Sequence, residues 1–423
     1  MKIEIGIGKE VQEVTVPDDN LLEVLYQNEL DHTGALTEEE EICRALHEPV
    51  GSPRLKEIVK PGEKVVIVTS DITRPMPTWK VLPFLLEELE AGGARLEDIT
   101  LVYGLGSHRK QTEEERRKLA GEEVFQKIRC IDGDPLDHVR LGVTSRGTPV
   151  DIVREVAQAD RRVCLGNIEY HYFAGYSGGA KAIMPGVSTR EAIQNNHRMM
   201  TDPRCCAGNL KTNPLRADIE EAEGFCPVDF ILNVVLDEHK RIVKAVAGDV
   251  RKAHRVGCTF LDMLYQKRIG RCADIVLVSQ GGAPKDLNLY QTQKALDNAK
   301  HAVKEGGIII LVGTCREGMG EETFEKWLLE AKKPEDMIQR IRSDFRLGGH
   351  KAAAIAMVLQ KAQIYLVSDL EQELVRQIFM QPFETVQAAL DHAFAEKGED
   401  ATVLVMPFGG STLPVVSENE EIN

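Results

Sequence analysis

The sequence predicts an α/β protein built from two α/β domains with mainly parallel sheets, and three observations lead there. Short runs rich in Val, Ile and Leu alternate with amphipathic helical stretches, the pattern of β-α-β units whose strands are buried on both faces. The pattern restarts around residue 268. A chain of 423 residues also exceeds what one core commonly spans, so a domain over 1–268 and another over 269–423 are expected, with an active-site cleft between them.

Taken in order, "KIEIGIG" and "VQEVTV" alternate with period two and read as a hairpin or two sheet strands. "KVVIVTS" (64–70) is a buried-type strand, followed by a helix through "TWKVLPFLLEELEAGG" that stops at its glycine pair. "ITLVYGLG" (99–106) is the next strand, and Thr112 with Glu115 forms a capping box that starts the helix after it. "RRVCLGNIEY" (161–170) is a third strand. A second capping box, Ser188 with Glu191, opens a helix expected over 189–200. In the later part, "ADIVLVSQGG" (273–282), a helix through "YQTQKALDNAKHAVKEGG" and "IIILVGTC" (308–315) form a β-α-β unit with a right-handed crossover. "QIYLVSD", a helix around "FETVQAALDHAFAEKG" and "ATVLVMPFGGST" complete the second domain.

Composition excludes several classes. A net charge of -15 without a local basic patch disfavours nucleic acid as a partner. No apolar run approaches the about 18 residues of a membrane span, and "MKIEIGIGKEVQEV" interrupts its apolar residues with charges, so no membrane association and a cytoplasmic address are expected. Nine cysteines without a CxxC pair read as reduced thiols, in keeping with that address.

Chemistry-bearing residues gather where strands end. The first three strands terminate in Asp71 and Arg74, in His108, and in His171, and in open parallel sheets such carboxyl ends surround one ligand site. Two histidines flanking a substrate suit proton transfer near neutrality in either direction. The guanidinium of Arg74 can grip a carboxylate at two points, or pair at the surface with Asp71. On the helix after Ser188, Ile193, His197 and Met200 share one face, so His197 is buried or faces a cleft. "YSGGAKAIMPG" sets Lys181 beyond Ser177, Gly178 and Gly179, glycines that permit close approach to a ligand or a tight turn. Lys181 is a solvated turn lysine, a phosphate contact or a covalent cofactor anchor. The Walker A pattern is not matched, and "YGLG" is only part of a dinucleotide fingerprint. Gln291 and Lys294, three apart on one helix, present donors on one face.

These motifs together, "SDITRP", "GSHR", "HYFAGYSGGAKAIMPG", "NNH", "YQTQK" and "PFGGSTLP", resemble the family of nickel-dependent lactate racemase and its relatives acting on other 2-hydroxy acids. The resemblance implies a racemase or epimerase working by reversible hydride transfer from the substrate Cα. It implies a nickel-pincer nucleotide (nickel pyridinium-3,5-bisthiocarboxylic acid mononucleotide) covalent to Lys181, with His197 as the protein's ligand to nickel. Donors of sulfur, carbon and imidazole suit Ni(II). By the same resemblance His108 and His171 are acid and base, Arg74, Gln291 and Lys294 surround the substrate, Asp71 supports one of these groups, and Ser177, Gly178 and Gly179 adjoin the cofactor. Cofactor-making proteins become loading partners, and protein made without them is expected as apoprotein. Ile72, Tyr170 and Tyr172 depart from residues common in the family and leave the 2-hydroxy acid open, from lactate to sugar acids such as gluconate. A pyridoxal-phosphate racemase on Lys181, a zinc lyase on His108, His171 and His197, and a non-catalytic cofactor-binding protein are the rival readings.

Overall fold

The computed structural model describes residues 1–26, 28, 36–237 and 239–417. They divide into two compact units, Asp31–Asp262 and Met263–Asn423 with Met1–Leu30.

The first unit is built on a six-stranded sheet ordered Ile242–Gly248, Phe230–Leu236, Arg161–Asn167, Val65–Ser70, Ile99–Gly104 and Arg129–Asp132. Every neighbouring pair is parallel except the first. Val65, Val66, Ile67 and Val68 are all buried, as a strand covered on both faces requires. Helix Thr78–Ala91 buries Val81, Leu82, Leu85 and Leu89 against that sheet's core. The three strands whose ends carry the candidate residues are adjacent at its centre, so their loops emerge side by side.

The second unit holds a parallel six-stranded sheet ordered Gln381–Phe383, Ala362–Val367, Val303–Val312, Ala273–Ser279, Val403–Met406 and Leu21–Val24. Here the structure departs from the expected boundary: residues 1–30 belong with the second unit, and the division falls at 262/263. The reason is strand pairing. Leu21–Val24 extends the second sheet beside Val403–Met406, and the hairpin Lys2–Ile7/Glu10–Thr15 buries Ile3, Ile5, Ile7 and Val14 in the same core as Ile308 and Ile310. Among the described residues no helix is long and apolar enough to cross a membrane.

Candidate active site

Asp71 follows the central strand directly and is 3% exposed. Its Oδ1 accepts from the Thr73 hydroxyl at 2.6 Å and the Thr73 backbone N–H at 3.1 Å, while Oδ2 lies 2.6 Å from His108 Nδ1. Burial raises the carboxyl pKa, but the His108 and Thr73 hydrogen bonds outweigh it and the net shift is downward. An ionised carboxylate has no proton to give, so Nδ1 of His108 carries one and Nε2 of the neutral ring keeps its lone pair. The Asp71–His108 pair is therefore an oriented base. Arg74 is exposed in the same turn, its N–H bonded to the Asp71 carbonyl at 3.1 Å.

The third strand runs into a two-stranded hairpin, Tyr170–His171 against Gly175–Tyr176. Both tyrosine hydroxyls donate to Asp262, at 2.8 and 2.7 Å, which anchors the ribbon carrying His171. The backbone N–H of Ala174 points at His171 Nδ1 at 3.3 Å.

Phe173 ties the next residues together. Its ring lies 4.5 Å from the His171 ring, 4.9 Å from the His197 ring and 6.0 Å from Lys181 Nζ. Lys181 sits in a short 3₁₀ turn, Gly179–Ala182, and is half-buried. Burial, reinforced by the positive charges of Arg74 and Arg216 and only opposed by Glu169, drives its amine well below the ordinary lysine pKa. A lowered pKa raises the share of unprotonated amine, which is the nucleophilic form. The loop beneath it is held by Ser177, whose hydroxyl donates to Asn167 O at 2.7 Å and accepts from Glu169 N at 2.9 Å, and by Gly179 N–H donating to Asn233 Oδ1 at 2.8 Å. Gly178 needs to be glycine: its φ is 73°, and a Cβ there would lie 2.7 Å from Asn233 Oδ1. The His108 loop is locked to the same segment by Gly106 N–H donating to Gly186 O at 3.0 Å.

His197 ends helix Arg190–His197, and Ile193, His197 and Met200 are buried together as the face argument expects. The N-cap differs from expectation. Thr189 caps the helix through Ala192 N–H, whereas the Ser188 hydroxyl donates to Ile183 O at 2.8 Å. The α-helix stops at His197 and continues as a 3₁₀ turn over Arg198–Thr201.

Gln291 and Lys294 lie in the other unit, on helix Leu289–Ala299, whose N-cap Asn288 accepts from Gln291 N–H at 3.0 Å. Gln291 is half-buried and Lys294 exposed. Lys351, unremarked in the sequence, donates to the Tyr290 carbonyl in the same helical turn and lies 3.9 Å from the Tyr290 ring centre. Burial, with Lys294 nearby, brings its pKa down to about 7.

Sequence reasoning also missed the buried polar groups beneath the site. Arg216 donates to Tyr176 O at 3.2 Å and to His254, and His254 Nε2 donates to Ser177 O at 2.7 Å. Lone polar residues on amphipathic helices give no sequence signal of what they meet. Among the described residues no group of three or more His, Cys, Asp or Glu side chains is arranged to hold a metal ion, so His108, His171 and His197 do not form a zinc site of their own.

Comparison with known proteins matches both units. The model of the lactate racemase N-terminal domain fits residues 7–208, and that of the lactate racemase C-terminal domain fits residues 270–414. The lactate racemase of Thermoanaerobacterium thermosaccharolyticum is 32% identical over 421 residues, covering 97% of this chain and 98% of that protein. The lactate racemase of Lactiplantibacillus plantarum is 32% identical over 419 residues, covering 96% and 98%. The structure of the lactate racemase apoprotein from T. thermosaccharolyticum aligns with a TM-score of 0.87, covering 99% of this chain and 100% of that one. A Thermotoga maritima protein at 18% identity shares the fold, with a TM-score of 0.61 over 90% and 99% of the two chains. With both domain models matched and near-complete alignment at this identity, the chain belongs to the lactate racemase family.

Proposed function

We propose that this chain is a racemase or epimerase of a 2-hydroxy acid that works by reversible hydride transfer from the substrate Cα to a lysine-tethered nickel-pincer nucleotide, with His108 and His171 as base and acid. When bound, that group supplies the hydride acceptor. Removing the α-hydrogen as a proton would build a second negative charge beside the carboxylate, whereas loss of hydride with loss of the hydroxyl proton leaves a neutral 2-keto group.

The chain's own residues suit such a group. Lys181 offers an amine of lowered pKa for the tether, and His197 one imidazole 4.9 Å from the Phe173 ring that also neighbours that amine. With no protein cluster of three metal-binding side chains among the described residues, the remaining donors would have to come from the cofactor. His108, oriented by Asp71, takes the hydroxyl proton of one enantiomer; His171 serves the mirror-image hydroxyl after the planar keto acid turns. Arg74 holds the carboxylate, and Gln291 and Lys294 contribute donors from the second unit.

The single observation that carries the reading is the Asp71-oriented His108 on a loop hydrogen-bonded to the Lys181 segment, together with Phe173, whose ring neighbours His171, His197 and the depressed-pKa Lys181. Protein co-produced with cofactor-making enzymes should contain nickel and show added mass on Lys181. It should interconvert single-enantiomer 2-hydroxy acids by chiral chromatography, and His108→Ala or His171→Ala should keep nickel and lose racemisation. Unimpaired turnover in both variants would refute the two-histidine account, and a borohydride-reducible chromophore without nickel would favour pyridoxal phosphate.

A further inference from the structure

His197 is 7% exposed, and its neighbour Asn196 and the carboxylate of Asp218 are 0% exposed. Asn196 Nδ2 donates to Asp218 Oδ2 at 2.8 Å and to the Leu215 carbonyl at 3.2 Å. Both partners are acceptors only, so the orientation of the Asn196 amide is fixed: nitrogen toward Asp218, oxygen toward His197. That oxygen lies 3.0 Å from His197 Nδ1. An amide oxygen carries no proton, so Nδ1 does, and in the neutral imidazole the lone pair sits on Nε2.

Asp218 is in turn fully engaged. Its Oδ1 accepts from the Thr144 hydroxyl at 2.5 Å, and its Oδ2 from the Thr148 hydroxyl at 2.7 Å as well as from Asn196. The two threonines sit in the turn between strands His138–Val143 and Pro149–Val153, closed by Thr144 N–H donating to Thr148 O at 2.9 Å. Three donors on one buried carboxylate leave it able to orient Asn196 but not to rearrange.

We propose that Asn196, locked by Asp218, is a positioning residue that holds His197 in the Nδ1–H tautomer and so makes Nε2 the nitrogen offered to nickel. The inference rests on the reading of His197 as the nickel ligand. A metal needs a lone pair at a fixed place, and the ring nitrogen opposite it is commonly tied by a hydrogen bond that sets tautomer and ring orientation. Here the charge of Asp218 reaches the ring through the polarised amide, which raises the basicity of Nε2 without putting a carboxylate against the imidazole.

The apoprotein labelled with ¹⁵N-histidine tests this by long-range ¹H–¹⁵N spectra above the titration range of the ring, the His197 signals being assigned by their loss in His197→Gln. The expected pattern is a protonated Nδ1 and an unprotonated Nε2. Asn196→Asp keeps an acceptor opposite Nδ1 and should keep the pattern. Asn196→Leu, close in shape but apolar, should lose it, and should release nickel from cofactor-loaded protein to a chelator about ten- to a hundredfold faster. Asn196→Asp sets a second carboxyl against Asp218, where the pair retains one proton, and Asn196→Leu removes the donor outright, so the Tm of each variant reports its structural cost separately from the tautomer. A wild-type His197 protonated on Nε2, or wild-type nickel release from Asn196→Leu, overturns the proposal; the wild-type spectrum decides the tautomer even if a variant fails to fold. Nickel held by His197→Gln as firmly as by wild type would instead overturn the ligand assignment beneath it.

Discussion

Asp71→Asn keeps the shape of a buried side chain and changes one atom from acceptor to donor. The Thr73 hydroxyl and Thr73 N–H both approach Oδ1, so the amide oxygen of the variant stays there and its NH₂ turns toward His108 Nδ1. That nitrogen must then accept, the ring moves its proton to Nε2, and the lone pair meant for the substrate hydroxyl is gone. General-base catalysis contributes about 10²- to 10⁴-fold, so the loss should lie in that range, about 2.7 to 5.4 kcal/mol in barrier. Removing the charged hydrogen bond should cost about 1–3 kcal/mol of stability as well. Because the Asp71 carboxyl pKa is lowered in the fold, its contribution is present above about pH 4 and lost as pH falls through the folded value, and the asparagine variant should lack that acid-dependent component. The informative assay is a single turnover of cofactor-loaded protein with each enantiomer separately, reading 2-keto acid formed. One enantiomer should slow by the full factor while the other, served by His171, stays near wild type. Equal slowing of both, or of neither, would refute the assignment of His108 to one face.

His254 is buried and His301 half-buried, and both have lowered pKa values, His301 down to about 3. Each stays neutral in the fold, so its contribution is intact above about pH 6.5 and is lost as pH falls below it, at up to about 1.4 kcal/mol per pH unit; in urea denaturation His301→Leu should lose less stability than wild type between about pH 7 and 5, and parallel losses would count against this. Gly178→Ala places a Cβ at positive φ against Asn233 and should cost about 1–3 kcal/mol with poorer cofactor loading, whereas wild-type Tm would mean the loop has room to adjust. Lys181→Met removes a desolvated amine, so apoprotein Tm should rise while added mass on loading disappears; a fall in Tm would show that the amine is held by favourable partners.

Much of this site could be read in the sequence because strand ends are legible. Apolar runs located Val65–Ser70, Ile99–Gly104 and Arg161–Asn167, and the open-sheet rule brought their polar ends together. Helical periodicity placed His197 on the same buried face as Ile193 and Met200. Local rules failed where two neighbours compete for one role: Ser188 and Thr189 are both capping residues, and only the pull of the Ile183 carbonyl on Ser188 decides between them. Strand order is also hidden, which is why residues 1–30 were expected in the wrong unit: nothing in "LLEV" names Val403–Met406 as its partner. Asn196, Asp218 and Lys351 carry polar groups whose meaning comes from partners distant in sequence, so their type and spacing alone were silent.

The central claim is that the substrate hydrogen leaves and returns as hydride, sheltered from solvent. A single-enantiomer 2-hydroxy acid carrying deuterium at Cα, racemised in ordinary water by cofactor-loaded protein, tests it by mass spectrometry of the product. The account predicts that the inverted product retains its deuterium; progressive replacement by solvent hydrogen in step with racemisation would contradict it.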